Sequence, residues 1–239
     1  MGDNLIMKRM KYGLGILLAT ISMIVNVGGC AIAEGDAQAY LRENKAKIAP
    51  ILPQYAEAYA QNNDMIGWLT IEDTPIDYPV MYTPNEPSKY LYADFDGNED
   101  KKGLPFIDEN CTLNSDNILI HGHNMRDNSM FGTLPDYAKE SYYKKHPTIR
   151  FDTLYEEGEY EIMFAFRDRV YYTHETCFKF YQFINAKDEA DFDQAMASMR
   201  EKALYDTGVE AHYGDKLLTL VTCAYHVENG RFVVVARKK

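Results

Sequence analysis

Short apolar runs separated by turn residues are the feature that most constrains what this 239-residue chain can fold into. From residue 66 onward each run has the length of a strand and is rich in β-branched and aromatic residues. Turn residues separate the runs, which favours an antiparallel sheet or barrel over repeating βαβ units. The predicted strands cover residues 67–71, 76–82, 117–120, 148–153 and 160–166, together with the apolar runs 217–221 and 232–236.

Two regions are predicted to be helical. Residues 34–62 are rich in Ala, Glu, Gln and Leu, and because two prolines interrupt the middle of this region, it predicts two short helices. In residues 188–204 apolar side chains recur at helical spacing, with acidic residues at the start and basic residues at the end, as the helix dipole favours. The chain is therefore predicted to be mostly β, with N-terminal helices and one late helix.

Composition limits the class of protein and its partners. Hydrophobic residues make up 46% of the chain, which is enough for a proper core and typical of a globular protein. The formal net charge is −11, and the chain contains no long Lys/Arg cluster. Nucleic acid is therefore not an expected partner, since neutralising phosphates requires a basic face.

An uncharged apolar run near the N-terminus indicates export. Residues 12–27 follow three basic residues, contain no charge, and fall between a signal-peptide core and a full membrane span in length. We interpret residues 1–33 as a cytoplasmic tail and membrane signal anchor, which predicts a single-pass protein of the cell membrane with the later domains outside. A cleaved signal peptide and a lipidated Cys30 in a loose lipobox match are the alternatives.

The four cysteines do not form a disulfide framework. Cys30, Cys111, Cys177 and Cys223 lack the dense spacing that marks such frameworks, and a chain of this length does not need disulfides for stability. We therefore expect Cys223 to be free. A Cys111–Cys177 disulfide stays open as an alternative.

The two apolar runs near the C-terminus bring a cysteine and an arginine together. Asn229-Gly230, a strong hairpin signal, lies in the short polar link between them. Cys223 then stands just past the end of one strand and Arg231 at the start of the next. A fixed positive charge can stabilise a thiolate or an oxyanion, so the pair is a candidate nucleophilic site. The simpler interpretation is a small buried cysteine beside a solvated arginine.

A histidine pair supplies the candidate base. His121 and His123 flank a glycine just beyond the predicted strand 117–120, and a strand that continued to His123 would place both on one face. Zinc is the alternative, because these two histidines and the Cys223-x-x-His226 pair supply four competent ligands. Structural zinc sites usually carry more cysteines, and Arg231 would be an unfavourable neighbour of the cation.

Taken together, these motifs resemble the sortase family, and class B in particular. The segments that carry the resemblance are TLVTC at 219–223, RFVVVA at 231–236 and IHGHNM at 120–125. Two further stretches, 90–110 and 131–137, are similar to the class B sequences that precede and follow the histidine strand. The resemblance spans about residues 34 to 239.

The resemblance implies a closed, mixed, eight-stranded β-barrel with N-terminal helices and one late helix. It divides the chain into the anchor (1–33), an N-terminal helical segment (34–64) and a catalytic barrel domain (65–239). His123, Cys223 and Arg231 match the active residues of the family, and no cofactor or metal is expected.

The function implied by the resemblance is that of a membrane-anchored cysteine transpeptidase of a Gram-positive type cell envelope. Such an enzyme cleaves an NPxTx-like sorting motif in exported proteins through a thioester and joins the acyl product to a peptidoglycan amine. Its partners are proteins with a C-terminal sorting signal, the peptidoglycan cross-bridge or its precursor, and the membrane. The alternatives are an exported cysteine peptidase that uses water as acceptor and a non-catalytic surface-binding module.

Overall fold

A computed structural model of the chain describes residues 50–239, in which Ile51–Lys239 form one compact unit. The strands of this unit are β1 (Met65–Thr70), β2 (Asp77–Met81), β3 (Phe106–Ile107), β4 (Asn117–His121), β5 (Thr148–Thr153), β6 (Glu159–Arg169), β7 (Leu217–Cys223) and β8 (Gly230–Lys238). The α-helices of the unit are α1 (Ala56–Gln61), α2 (Glu140–Tyr143) and α3 (Glu189–Lys202). Single 3-10 turns lie at Pro53–Tyr55, Lys89–Leu91, Leu134–Ala138 and Phe180–Gln182.

These strands close into a barrel in the order β1-β2-β3-β4-β7-β8-β6-β5, which confirms the predicted closed, mixed, eight-stranded fold. The β2–β3 and β4–β7 pairs are parallel and the remaining pairs are antiparallel. The turn pattern alone favoured an antiparallel sheet, and at these two pairs that expectation is wrong. Parallel neighbours need long crossover segments, which the spacing of the apolar runs does not reveal.

The unbroken apolar run at residues 232–236 of β8 results from burial on both faces of the strand. Phe232, Val234 and Ala236 point into the barrel core. Val233 and Val235 alternate with them and pack in a second cluster outside the barrel. A strand that is covered on both sides reads as a continuous hydrophobic run, whereas a half-exposed strand alternates with polar residues.

The late helix covers that outer cluster. The structure places α3 at Glu189–Lys202, and the Asp188 carboxylate caps its start by accepting the Asp191 backbone N–H at 2.9 Å. Phe192, Ala195, Met196 and Met199 are its buried residues, and they pack in the same cluster as Val233 and Val235. The helical periodicity therefore identified both the helix and its buried face.

The predicted membrane anchor at residues 12–27 and the lipobox cysteine, Cys30, lie outside the described residues. Within residues 50–239 no helix is long and apolar enough to cross a membrane. The longest helix of this part, α3, has 14 residues and carries charges along one side, whereas a span needs about 20 apolar residues. This finding contradicts the predicted single-pass membrane localisation, which is not retained.

The cysteines that the structure describes are all free. Cys111 is buried in the barrel core cluster, whereas Cys177 is exposed. The alternative of a Cys111–Cys177 disulfide is therefore wrong, because one thiol lies inside the barrel and the other on its surface. Burial also raises the pKa of the Cys111 thiol to about 11, which keeps it protonated at neutral pH.

Candidate active site

A surface cleft of about 310 Å³ lies where β4 and β7 end and β8 begins. His123, Cys223 and Arg231, the three residues singled out in the sequence, all line it. The remaining lining residues are Pro87, Ser88, Leu91, Phe106, Asp108, Glu109, His121, Gly122, Val221 and Thr222. The fold thus brings together a thiol, an imidazole and a guanidinium from three separate segments.

The β7–β8 hairpin places Cys223 directly opposite Arg231. The hairpin closes with the Ala224 N–H donating to the Gly230 carbonyl at 3.0 Å, and Asn229 adopts a positive φ of 55°. A side chain at Gly230 would put its Cβ 2.2 Å from the Ala224 carbonyl oxygen, so only glycine allows this approach. The Asn-Gly signal read from the sequence therefore fixes the Cys–Arg pairing.

The Arg231 guanidinium is not tied to an acid. Its Nη1 donates to the carbonyls of Asn229 at 3.2 Å and Gly230 at 3.0 Å. Within residues 50–239, no carboxylate lies within ion-pair distance of it. A guanidinium has five N–H donors, so it has donors left for a ligand in the cleft.

His123 leaves the barrel just after β4. The strand ends at His121, so the two histidines do not continue along one strand face as the sequence suggested. Gly122 permits the close approach of the Phe131 ring, because a Cβ there would lie 2.7 Å from that ring. The His123 ring is held by a hydrogen bond of 2.8 Å between Nε2 and the Leu91 carbonyl, and by the Tyr92 ring at 5.6 Å between centroids.

The Leu91 contact assigns a tautomer to His123. A carbonyl oxygen only accepts, so Nε2 carries the proton in this hydrogen bond. In the neutral ring Nδ1 is then the basic nitrogen, and it is the atom available to take up or release a proton. Sequence reasoning missed Leu91, because the contact is made by a backbone atom 32 residues away.

Two side chains fasten the histidine loop to the cysteine strand. The Thr222 hydroxyl donates to the Gly122 carbonyl at 2.7 Å, and the Asn124 amide donates to the Cys223 carbonyl at 2.8 Å. The Gly122 N–H donates to the Val221 carbonyl at 3.1 Å and extends the β4–β7 pairing by one residue. Thr222 and Asn124 stand inside the two sequence motifs, but neither was assigned this role.

His121 is bound to an acid at the edge of the cleft. Its Nε2 lies 2.9 Å from Asp108 Oδ2, and its ring lies 5.5 Å from that of Phe106. Burial alone would raise the pKa of Asp108, but hydrogen bonds from His121 and Asn110 outweigh it and lower the pKa to about 2. Asp108 therefore stays ionised and holds His121.

The four residues of the zinc alternative do not converge. His121 binds Asp108 and His123 binds the Leu91 carbonyl. Across residues 50–239, no three His, Cys, Asp or Glu side chains are grouped so that they could hold a metal ion. The cleft instead brings together a thiol, an imidazole and a guanidinium.

Sequence comparison assigns the chain to a known family. Residues 69–239 match the family described as the sortase domain. The chain belongs to the sortase family, class B. It is 31% identical to sortase B of Staphylococcus aureus over 78% of this chain and 75% of the relative. It is 32% identical to sortase B of Listeria monocytogenes over 72% of this chain and 69% of the relative.

Solved structures agree with that assignment. A crystal structure of S. aureus sortase B superposes with a TM-score of 0.70 at 29% identity, covering 84% of this chain and 92% of that one. A sortase B-like protein from Bacillus anthracis gives a TM-score of 0.68 at 28% identity, with 80% and 85% covered. The chain is accordingly a sortase-type cysteine transpeptidase, and the alternative of a non-catalytic binding module is set aside.

Proposed function

We propose that this class B sortase cleaves an NPxTx-like sorting motif in exported proteins and joins the acyl product to an amine of peptidoglycan. Cys223 is the nucleophile, His123 the general acid and base, and Arg231 the oxyanion donor. The observation that carries these roles is the pairing of Cys223 with Arg231 across the hairpin, in a cleft that His123 also lines. A cysteine beside a base, with a donor placed to stabilise an oxyanion, is an arrangement suited to acyl transfer through a thioester.

The first step is acylation. The Cys223 thiolate attacks a backbone carbonyl of the motif, and the resulting oxyanion accepts hydrogen bonds from Arg231. The C–S bond formed by this attack is kept while the C–N bond breaks, and His123 protonates the departing amine. The Leu91 carbonyl holds Nε2, so the proton given to the amine is the one on Nδ1, which His123 takes from the Cys223 thiol as the thiolate forms. A thioester on Cys223 remains.

The second step transfers the acyl group. An incoming primary amine attacks the thioester, His123 removes its proton, and the C–S bond breaks to regenerate the Cys223 thiolate. The product is an amide between the exported protein and the amine. Each cycle thus exchanges one amide bond for another, and no oxidant or cofactor enters.

Two solved relatives support this choice of substrates. One structure is described as a S. aureus sortase B–substrate complex, and another as sortase B complexed with triglycine. A glycine peptide carries a primary amine at its N-terminus, which is the group that the second step consumes. Similarity to these structures favours a peptide donor and an amine acceptor in the cleft of this chain.

Acyl-enzyme trapping tests the proposal directly. The purified protein is mixed with NPxTx-like or LPxTG-like peptides, with and without a glycine peptide, and analysed by mass spectrometry. We expect a thioester on Cys223 with NPxTx-like peptides, and an amide product when the amine is added. Cleavage with only water as acceptor, whatever amine is supplied, would instead identify the peptidase alternative.

Two cysteine variants complete this experiment. Cys223→Ala removes the nucleophile and little volume at the end of a strand, so it should abolish turnover while leaving thermal unfolding close to that of the parent. Cys177→Ala is the matched control, because Cys177 is also a free and accessible thiol but lies outside the cleft. Peptide cleavage that persisted in Cys223→Ala would end the proposal.

A further inference from the structure

Arg231 stands between a thiol and a carboxylate in the sheet. On β8 it lies directly opposite Cys223 of β7 on one side and directly opposite Asp168 of β6 on the other. Directly opposed residues of neighbouring strands project from the same face and lie close together. A carboxylate therefore borders the arginine on the side away from the thiol.

The Asp168 carboxylate is buried and already bound. Asp168 is only 6% exposed. Lys202 Nζ lies 2.6 Å from Oδ2, while the Tyr171 hydroxyl at 2.5 Å and the Arg169 backbone N–H at 2.9 Å donate to Oδ1. Lys202 also contacts the Tyr171 hydroxyl at 3.1 Å. Among residues 50–239, the cationic partner of this carboxylate is Lys202.

Helix α3 delivers that lysine. Lys202 is the last residue of α3, whose apolar face packs in the same outer cluster as β6 and β8. Sequence patterning accounts for Lys202 only as a basic residue that complements the helix dipole. The structure gives it a specific partner 34 residues away, next to the candidate active site.

We propose that Lys202 is a positioning residue for the transpeptidase reaction: it neutralises Asp168 and so leaves the Arg231 guanidinium free for substrate. A buried carboxylate without a cation is strongly unfavourable. Without Lys202, the guanidinium directly opposite would supply the missing charge, and arginine binds carboxylates in a two-pronged geometry. The side chain of Arg169, the next residue in the chain after Asp168, is paired with Glu175. Arg231 would then turn from the cleft toward Asp168.

This inference rests on the proposed role of Arg231, and its test uses a charge-removal cycle. Lys202→Met removes the charge but keeps the apolar stem, Lys202→Arg keeps the charge, and Asp168→Asn removes the carboxylate at equal size. The double variant combines Lys202→Met with Asp168→Asn. Single-turnover acylation of Cys223 by the sorting-motif peptide is measured for each, together with the thermal unfolding midpoint.

The expected pattern is rescue. Lys202→Met should slow acylation at least tenfold, whereas Lys202→Arg should stay within about threefold of the parent protein. Adding Asp168→Asn to Lys202→Met should restore the rate to within about threefold, because no free carboxylate is left to capture Arg231. A lysine with only a packing role would give no such rescue, since Asp168→Asn would not restore the packing lost in Lys202→Met.

Several results would overturn the inference. A folded Lys202→Met variant with the parent rate would do so, as would a folded double variant no faster than Lys202→Met. If the two variants that contain Lys202→Met do not fold, the single variant Asp168→Asn provides the test. The inference expects it to keep the acylation rate, and a loss as large as that of Arg231→Lys would show that Asp168 itself orients the arginine.

Two parallel variants separate this inference from the proposed function. Lys216→Met is the matched control, because Lys216 pairs with Asp116 at 2.9 Å at the other end of β7, outside the cleft. It should leave acylation unchanged. Arg231→Lys tests the proposed function itself. If Arg231→Lys is slow and Lys202→Met is normal, only the inference about Lys202 fails, whereas a normal rate for Arg231→Lys refutes the role on which both depend.

Discussion

The Asp108–His121 pair should make the stability of this protein depend on pH in the acid range. The structure lowers the pKa of Asp108 from an ordinary 3.8 to about 2, because hydrogen bonds from His121 and Asn110 outweigh the effect of burial. A carboxylate with a lowered pKa stabilises the folded state at pH values above its unfolded pKa. That stabilisation is lost as the pH falls through the folded pKa.

The size of the effect follows from the pKa difference. One pKa unit corresponds to about 1.4 kcal/mol, so Asp108 contributes about 2 kcal/mol to the free energy of unfolding at pH 5. Most of this contribution disappears by pH 2. The Asp108 side chain is 19% exposed, so solvent screens the interaction only in part. Asp108→Asn cannot ionise and therefore lacks this dependence.

The assay is urea unfolding of the parent protein and of Asp108→Asn between pH 5 and pH 2. The parent should lose about 2 kcal/mol more unfolding free energy over this range than the variant. Asp127→Asn is the control. Asp127 forms an ion pair with Lys102 at 2.7 Å, but both side chains are largely exposed, so this pair contributes little to the free energy of unfolding. If Asp108→Asn and the parent lost stability in parallel, the pair would not hold Asp108 ionised and the reasoning would be refuted.

Three further predictions concern the cleft. Arg231→Lys keeps the charge but loses the forked donor geometry of the guanidinium, and it should slow acylation about 10²-fold. Arg237→Lys, at the far end of β8, is the control and should not slow it, and an acylation rate for Arg231→Lys equal to that of the parent would show that Arg231 has no role in the reaction. His123→Ala should lose acylation and transfer, whereas His121→Tyr should remain active, and the reverse result in peptide assays would exchange their roles. Gly230→Ala should cost about 1–3 kcal/mol of stability, because its Cβ would overlap the Ala224 carbonyl, and should slow acylation by shifting Arg231; parent-like thermal unfolding and acylation would contradict this.

Local sequence patterns predicted most of the barrel because each strand carries its own signal. The structure places β5 at Thr148–Thr153, the range that the apolar run predicted, and β7 and β8 match the two apolar runs closely. Two strands show where such signals end. β3 has only 2 residues, too few for any periodic pattern, and it was missed. β6 continues to Arg169 through charged residues that no hydrophobic run would include.

Contacts between distant segments were beyond the reach of these patterns. The parallel pairing of β4 with β7 joins segments about a hundred residues apart, and only the closed barrel determines it. The Asp108–His121 and Leu91–His123 hydrogen bonds depend on the position that the segment before β4 takes in the folded chain. That segment lay within the family resemblance, but its residues had no recognisable chemical role in isolation.

The three groups of the cleft are therefore fixed by two kinds of interaction with different ranges. Cys223 and Arg231 meet through one hairpin, whose turn residues Asn229 and Gly230 set the register locally. His123 arrives through the β4–β7 pairing, and the hydrogen bonds of Thr222 and Asn124 then tie its loop to the cysteine strand. The pairing of Cys223 with Arg231 could consequently be predicted from the sequence alone. The choice between two histidines needed either the family pattern or the structure, because spacing places both beside the same strand end.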